Sequence, residues 1–126
     1  LVVLIGAPGV GKSTFCKENL LGCTVAEQDE LRTRRAVIKK VNGALQLGES
    51  VVVDGTNPTS AGRHELLVIA RKFGAIFEGV YFVNDGWARN SRREAPVPDV
   101  AYHVFYKNLD VPLEQEFDRL SVIEYL

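Results

Sequence analysis

Nine consecutive residues, Gly6-Ala7-Pro8-Gly9-Val10-Gly11-Lys12-Ser13-Thr14, constrain this chain more than any other stretch. They fit G-x-x-x-x-G-K-[ST], the spacing of a phosphate-binding P-loop. Leu1 to Ile5 is apolar and β-branched, which predicts a buried strand before the loop. Phe15 to Leu20 runs without a breaker to Gly22, which predicts a short helix after it. Gly6, Gly9 and Gly11 are expected to take φ > 0 and bring the backbone close to an oxygen. Inward N–H groups and the positive end of the helix then make an anion cradle. Lys12 is expected to reach the β- and γ-phosphates of ATP, and Ser13 to place its hydroxyl on Mg²⁺. With the loop empty, Lys12 is expected to face solvent. The bland alternative is a glycine-rich turn, and the strand and helix around it argue for nucleotide binding instead.

Composition sets the limits. The 126 residues suit one domain over 1–126, with 46% hydrophobic content for a core and 25% charged content against disorder. A net charge of −1 gives no global field toward nucleic acid. The charge is uneven, though. Residues 29–40 carry five cations against two anions, and residues 110–126 five anions against one cation. Such an asymmetry marks either a phosphate-facing side or a solvated helix face. Cys16 and Cys23 lack metal-like or C-x-x-C spacing, so free thiols and a reducing, intracellular compartment are expected. No stretch is apolar enough for a membrane span and no signal peptide is present, so no membrane partner is expected. A chain that starts in mid-strand and lacks Met reads as a domain excised from a longer polypeptide.

Strand and helix patterns alternate along the chain. Cys23 to Glu27 predicts a second strand and about Glu30 to Leu47 a helix, with Leu31, Ile38, Val41 and Leu45 near one face. Val51-Val52-Val53 predicts a third strand ending in the polar turn Asp54-Gly55-Thr56-Asn57-Pro58. Ser60 is expected to cap a helix running to about Phe73, and Ile76 to Val83 to hold a fourth strand. Trp87 to Glu94 predicts a charged helical piece closed by Pro96-Val97-Pro98. Asp99 then caps a helix expected to point Val100, Val104 and Tyr106 or Phe105 inward, and Leu120 to Tyr125 predicts the last strand. The order implies an α/β three-layer sandwich, a parallel five-stranded sheet with helices on both faces. Ligands on such sheets bind beyond the carboxyl ends of the strands, where the P-loop, Asp29 and Asp54 all fall.

Three groups beside the P-loop could carry chemistry. Asp29 could take a proton from an attacking hydroxyl, with Arg32 one turn later holding a substrate anion; alternatively Asp29 only caps a helix. Asp54 ends a triple-Val strand in the manner of a Walker B carboxylate that holds Mg²⁺, with an Asx turn as the alternative. Thr56 and Asn57 could shape an acceptor pocket. Arg89-Asn90-Ser91-Arg92-Arg93 could form a lid whose guanidiniums grip nucleotide phosphates, or a solvated helix. His64 and His103 lack partners at ligand or triad spacing.

These residues together resemble the kinase domain of the polynucleotide 5′-hydroxyl kinase family, including kinase–phosphatase repair enzymes. The match runs through Gly6 to Phe15, Asp29, Asp54-Gly55-Thr56-Asn57-Pro58, Ala88 to Glu94, Val97-Pro98, Tyr102, Tyr106-Lys107, Pro112 and Glu116. The P-loop is shared with many NTPases; its combination with Asp-x-Thr-Asn-Pro and the arginine-rich segment is more specific. The resemblance implies a P-loop kinase fold and transfer of the ATP γ-phosphate to a 5′-hydroxyl end of DNA or RNA. It implies Asp29 as general base, Lys12 and Arg93 as catalytic cations, and Arg89 and Arg92 as nucleotide contacts. It also implies Arg32 as a contact to the substrate phosphate, and a phosphatase or other domain that would precede Leu1. Two departures stand out: Glu27-Gln28-Asp29 where the family often has Asn-Arg-Asp, and Gly55 where it commonly has Asn. A small-molecule kinase of the same fold, or a nucleotide-binding scaffold without catalysis, are the alternatives.

Overall fold

The computed structural model describes residues 1–83 and 99–124. Its elements are β1 (Val2–Ile5), α1 (Lys12–Asn19), β2 (Thr24–Glu27), α2 (Gln28–Leu31), α3 (Arg34–Gln46), β3 (Val51–Asp54), α4 (Ser60–Lys72), β4 (Glu78–Phe82), α5 (Asp99–Asn108) and β5 (Arg119–Ile123). A 3₁₀ turn at Glu114–Glu116 precedes β5. The five strands form one sheet in the order β2-β3-β1-β4-β5, and every pairing is parallel. The predicted five-stranded parallel sheet is therefore present. Its register sets Val2 beside Val52 and Glu27 beside Asp54, which brings the ends of β1, β2 and β3 to one edge.

Alternation along the strands sorts the core into two layers. Val3, Ile5, Val51 and Val53 pack with Val37 and Val41 of α3 and Leu66 and Ala70 of α4. Leu4 and Val52 point the other way, toward Cys16 of α1, Val10 and Phe82. Helices thus cover both faces, and the continuous apolar character of the strands follows from that. Gly79 in β4 is explained by packing: a Cβ there would lie 2.7 Å from the Phe117 ring, which stacks on Phe77.

Several local expectations are corrected. The helix expected over 30–47 is two helices. Arg32 adopts φ 67°, and Thr33 starts α3 by accepting a hydrogen bond from the Ala36 N–H. Thr59, not Ser60, caps α4 by accepting from the Gly62 N–H. Val100, Val104 and Tyr106 of α5 face outward, while Tyr102 and Phe105 are buried and pack against Ala7. The larger rings at i and i+3 remove more apolar area from water than the two valines would. The segment 84–98, with its expected helix and the start of the α5 cap, lies outside the described residues.

Arg63 is a buried cation that patterning alone did not single out. It is 1% exposed and uses its whole guanidinium. Nη1 donates to the Asn57 and Pro58 carbonyls at 3.0 and 2.9 Å. Nη2 donates to the Asp110 carbonyl at 2.8 Å, and Nε donates to Glu116 at 3.1 Å. One side chain thereby joins α4, the loop after β3 and the segment before β5. Arg63→Ala should lower stability by about 3 kcal/mol, because it removes the cation that balances Glu116 and the donors to the Asn57 and Asp110 carbonyls, while Pro58 and Glu116 keep only the Asp110 and Leu113 N–H groups. Lys at this position should restore little of it, since a single ammonium cannot replace the planar fork. Urea unfolding of the two variants checks this.

Asp118 makes a second, more exposed staple. It accepts from both Arg71 terminal nitrogens at 2.8 and 2.7 Å and from the Phe77 N–H at 2.8 Å. The Arg71 fork first, then the Phe77 N–H, hold its carboxyl well below the usual carboxylate range. A depressed pKa contributes stability above the unfolded value of about 3.9, and that contribution is lost as pH falls. Asp118→Asn should therefore lower the urea midpoint at pH 7. The gap to the parent should narrow steadily below about pH 4.

Candidate active site

A cleft of about 830 Å³ opens at the carboxyl ends of β1, β2 and β3. The P-loop residues Pro8, Gly9 and Gly11 to Thr14 form one wall, and Glu27, Gln28, Asp29 and Arg32 form the other. Asp54, Gly55 and Thr56 lie between them, and Ala101 of α5 joins the rim.

The loop is built by three separate devices. Gly9 and Gly11 take φ 77° and 104°, conformations that favour glycine, and Gly11 is the residue from which α1 starts. Gly6 does not share this reason, contrary to expectation, because its φ is not positive. A Cβ there would lie 2.9 Å from Phe82 Cβ, so close packing demands the glycine. Ala7 and Val10 are fully buried and anchor the loop, Ala7 against α5 and Val10 among the residues packed on α1.

Lys12 is not solvent-facing. It is 8% exposed, and Nζ donates to the Gly6 and Ala7 carbonyls at 2.9 and 2.7 Å. The ammonium sits inside the loop, where an anion's charge would otherwise balance it, and these carbonyls supply the opposing dipoles. Ser13 Oγ donates to Asp54 Oδ2 at 2.9 Å, so the two expected metal ligands are adjacent. Both offer hard oxygen donors, which fits Mg²⁺ in the company of phosphate oxygens and water.

The opposite wall is acidic. Glu27 sits beside Asp54 across the β2–β3 pairing. Burial, then the charge of Asp54, pushes the Glu27 carboxyl up from its usual range. Asp29 is exposed in the first turn of α2, and that helix has no side-chain cap. Among the described residues nothing hydrogen-bonds to the Asp29 carboxylate, so the capping alternative does not hold. Arg32 is exposed at the cleft's edge, held there by a backbone bond from its N–H to the Gln28 carbonyl.

Thr56 and Asn57 part company. Thr56 lines the cleft, and its carbonyl accepts from the Gly6 N–H at 3.2 Å. Asn57 is 7% exposed with φ 44°, and its Nδ2 donates to the Leu4 carbonyl at 2.7 Å. Asn57 thus ties the loop after β3 to β1 and, unlike Thr56, is not part of the cleft lining. Arg89, Arg92 and Arg93 lie outside the described residues.

The two departures from the family pattern touch each other. A Cβ at Gly55 would collide with the side-chain oxygen of Gln28 and approach its Cβ at 3.1 Å. Glu27 and Gln28 stood out in the sequence only as departures from the family pattern, with no site role assigned to either. Their spacing, one and two residues before Asp29, was the signal that pointed to the cleft.

Comparison with known proteins decides the family. The model of the AAA_33 family, described as an AAA domain, matches residues 1–96. The chain belongs to this family. A bifunctional polynucleotide phosphatase/kinase of Schizosaccharomyces pombe is 29% identical over 126 residues, covering 92% of this chain and 31% of that protein. A protein of Acanthamoeba polyphaga mimivirus, provisionally given the same designation, is 29% identical over 139 residues, covering 99% and 33%. The chain thus spans about a third of the length of these relatives. Among solved structures, a gluconokinase of Sinorhizobium meliloti 1021 superposes with a TM-score of 0.68 at 18% identity, covering 98% of this chain and 81% of that one. Kti12 of Chaetomium thermophilum, in complex with ADP-AlF3, gives 0.67 at 16%, covering 98% and 88%. The AAA_33 domain therefore has a P-loop kinase fold, as its sequence implied.

The position of Lys12 in this AAA_33 domain changes what its removal should do. Lys12→Ala should lose phosphate affinity and also destabilise the fold by about 2 kcal/mol, because two buried charge-assisted bonds disappear. Calorimetry with ATP and thermal unfolding of the same variant measure the two effects separately.

Proposed function

We propose that this domain transfers the γ-phosphoryl group of ATP to the 5′-hydroxyl end of a polynucleotide. One observation carries the reading. An exposed carboxylate, Asp29, which no neighbour among the described residues engages, and an exposed guanidinium, Arg32, share the cleft wall opposite the phosphate loop. The names of the Schizosaccharomyces pombe and mimivirus relatives support the same acceptor class.

In this reading the P-loop N–H groups and the start of α1 hold the nucleotide's phosphates. Lys12 turns from the Gly6 and Ala7 carbonyls to the phosphate oxygens. Ser13 and Asp54 would hold Mg²⁺, which when bound neutralises charge on the phosphate oxygens. Asp29 accepts the proton of the attacking hydroxyl, in line with the phosphoryl group across the cleft. Arg32 pairs with a phosphate of the acceptor strand, and Thr56 lines the floor between the walls. Arg89 and Arg92 are proposed as nucleotide contacts and Arg93 as the cation that stabilises the transferred group.

Asp29→Asn keeps shape and removes basicity, so turnover should fall by roughly a hundredfold or more while ATP binding by calorimetry is unchanged. Arg32→Ala should weaken use of a 5′-hydroxyl oligonucleotide, or of a nucleoside 3′-phosphate, more than use of a nucleoside lacking that phosphate. Equal losses on both acceptors would favour a small-molecule acceptor instead.

A further inference from the structure

Gln28 is a polar side chain that the chemistry above leaves unused. It is half-buried, lines the cleft immediately before Asp29, and lies against Gly55 at the end of β3. Among the described residues its amide makes no hydrogen bond, so both its N–H₂ and its carbonyl are open to a ligand. Gly55 has no positive φ, so its backbone conformation would accept a side chain. A Cβ built there would meet the amide oxygen, Cβ and Cδ of Gln28 as its three nearest atoms, so the amide would have to move. The glycine therefore leaves room for the amide in its present position.

We propose that Gln28 determines which acceptor the cleft takes, its amide bonding a neutral hydrogen-bonding group of the nucleoside that carries the attacking hydroxyl. This rests on the polynucleotide reading above. Placement supports it. The amide precedes the proposed base by one residue, and the Gln28 carbonyl holds the backbone of Arg32. The proposed general base, the phosphate contact and the amide thus come from one short stretch of chain, with the neutral amide immediately before the charged pair. An amide both donates and accepts, so both its groups are used by a base edge or a sugar hydroxyl, whereas a phosphate oxygen, which only accepts, would use the N–H₂ alone.

The test is a double-mutant cycle on steady-state kinetics with a 5′-hydroxyl oligonucleotide. Gln28→Ala should raise the acceptor KM about fivefold, the size of one neutral hydrogen bond, and leave the KM for ATP unchanged. Gly55→Ala should do the same by displacing the amide. In the Gln28→Ala background, Gly55→Ala should add nothing. An oligonucleotide with an abasic 5′ residue separates the sources: the Gln28→Ala penalty vanishes on it if the amide reads the base and persists if it reads the sugar. An unchanged acceptor KM in Gln28→Ala, or an undiminished Gly55→Ala penalty without Gln28, overturns the proposal while the polynucleotide reading stands. A parent protein that phosphorylates no 5′-hydroxyl oligonucleotide overturns both.

Discussion

The loop after β3 is the piece on which the site's geometry depends, and Arg63 holds it. A buried guanidinium reads the Asn57 and Pro58 carbonyls directly, while Glu116 balances its charge. The same loop reaches back to β1 through Asn57 to the Leu4 carbonyl and through the Thr56 carbonyl to Gly6 N–H. The exits of two strands are thereby locked at one height, and Asp54 meets Ser13. A parallel sheet alone would bring those ends near each other. Fixing a carboxylate within hydrogen-bond reach of a hydroxyl needs the extra ties, because loops have many conformations and each lost degree of freedom costs entropy.

Charge is arranged in opposition across the cleft. Lys12 lies within the phosphate loop, and Glu27, Asp29 and Asp54 gather at the ends of β2 and β3. Glu27 is half-buried beside Asp54, and its raised pKa shows that this acidity is held at a cost. A cation between the walls would relieve that repulsion, and the oxygen donors there suit a hard one. Lys12 is balanced within the loop itself, where its ammonium donates to the Gly6 and Ala7 carbonyls.

Sequence reading and structure diverge at three places. Arg32 and Thr33 break a pattern that reads as one amphipathic helix: Arg32 turns left-handed and the Thr33 hydroxyl caps a new helix by accepting from the Ala36 N–H, an alternative that side-chain capping offers to the backbone. Val100 and Val104 look like an inward stripe until Tyr102 and Phe105 compete for the same contact with Ala7. Gly6 carries a packing requirement set by Phe82, a residue far along the chain. For α5 and Gly6 the deciding partner, Ala7 or Phe82, lies outside the local window, so periodicity could not see it.

The P-loop, its strand and helix, the alternation that makes a parallel sheet, and the placing of Asp29 and Asp54 at strand ends were all legible in the chain itself. They rest on short-range rules: residue type, spacing and period. Tertiary structure alone decided that Asn57 braces β1 when it had looked like an acceptor contact, that Arg63 is buried, and that Gln28 occupies the space left by Gly55. Those outcomes depend on which atoms from distant segments arrive at the same point. Close packing lets one side chain fill each such space, and no spacing along a single strand or helix specifies which one does.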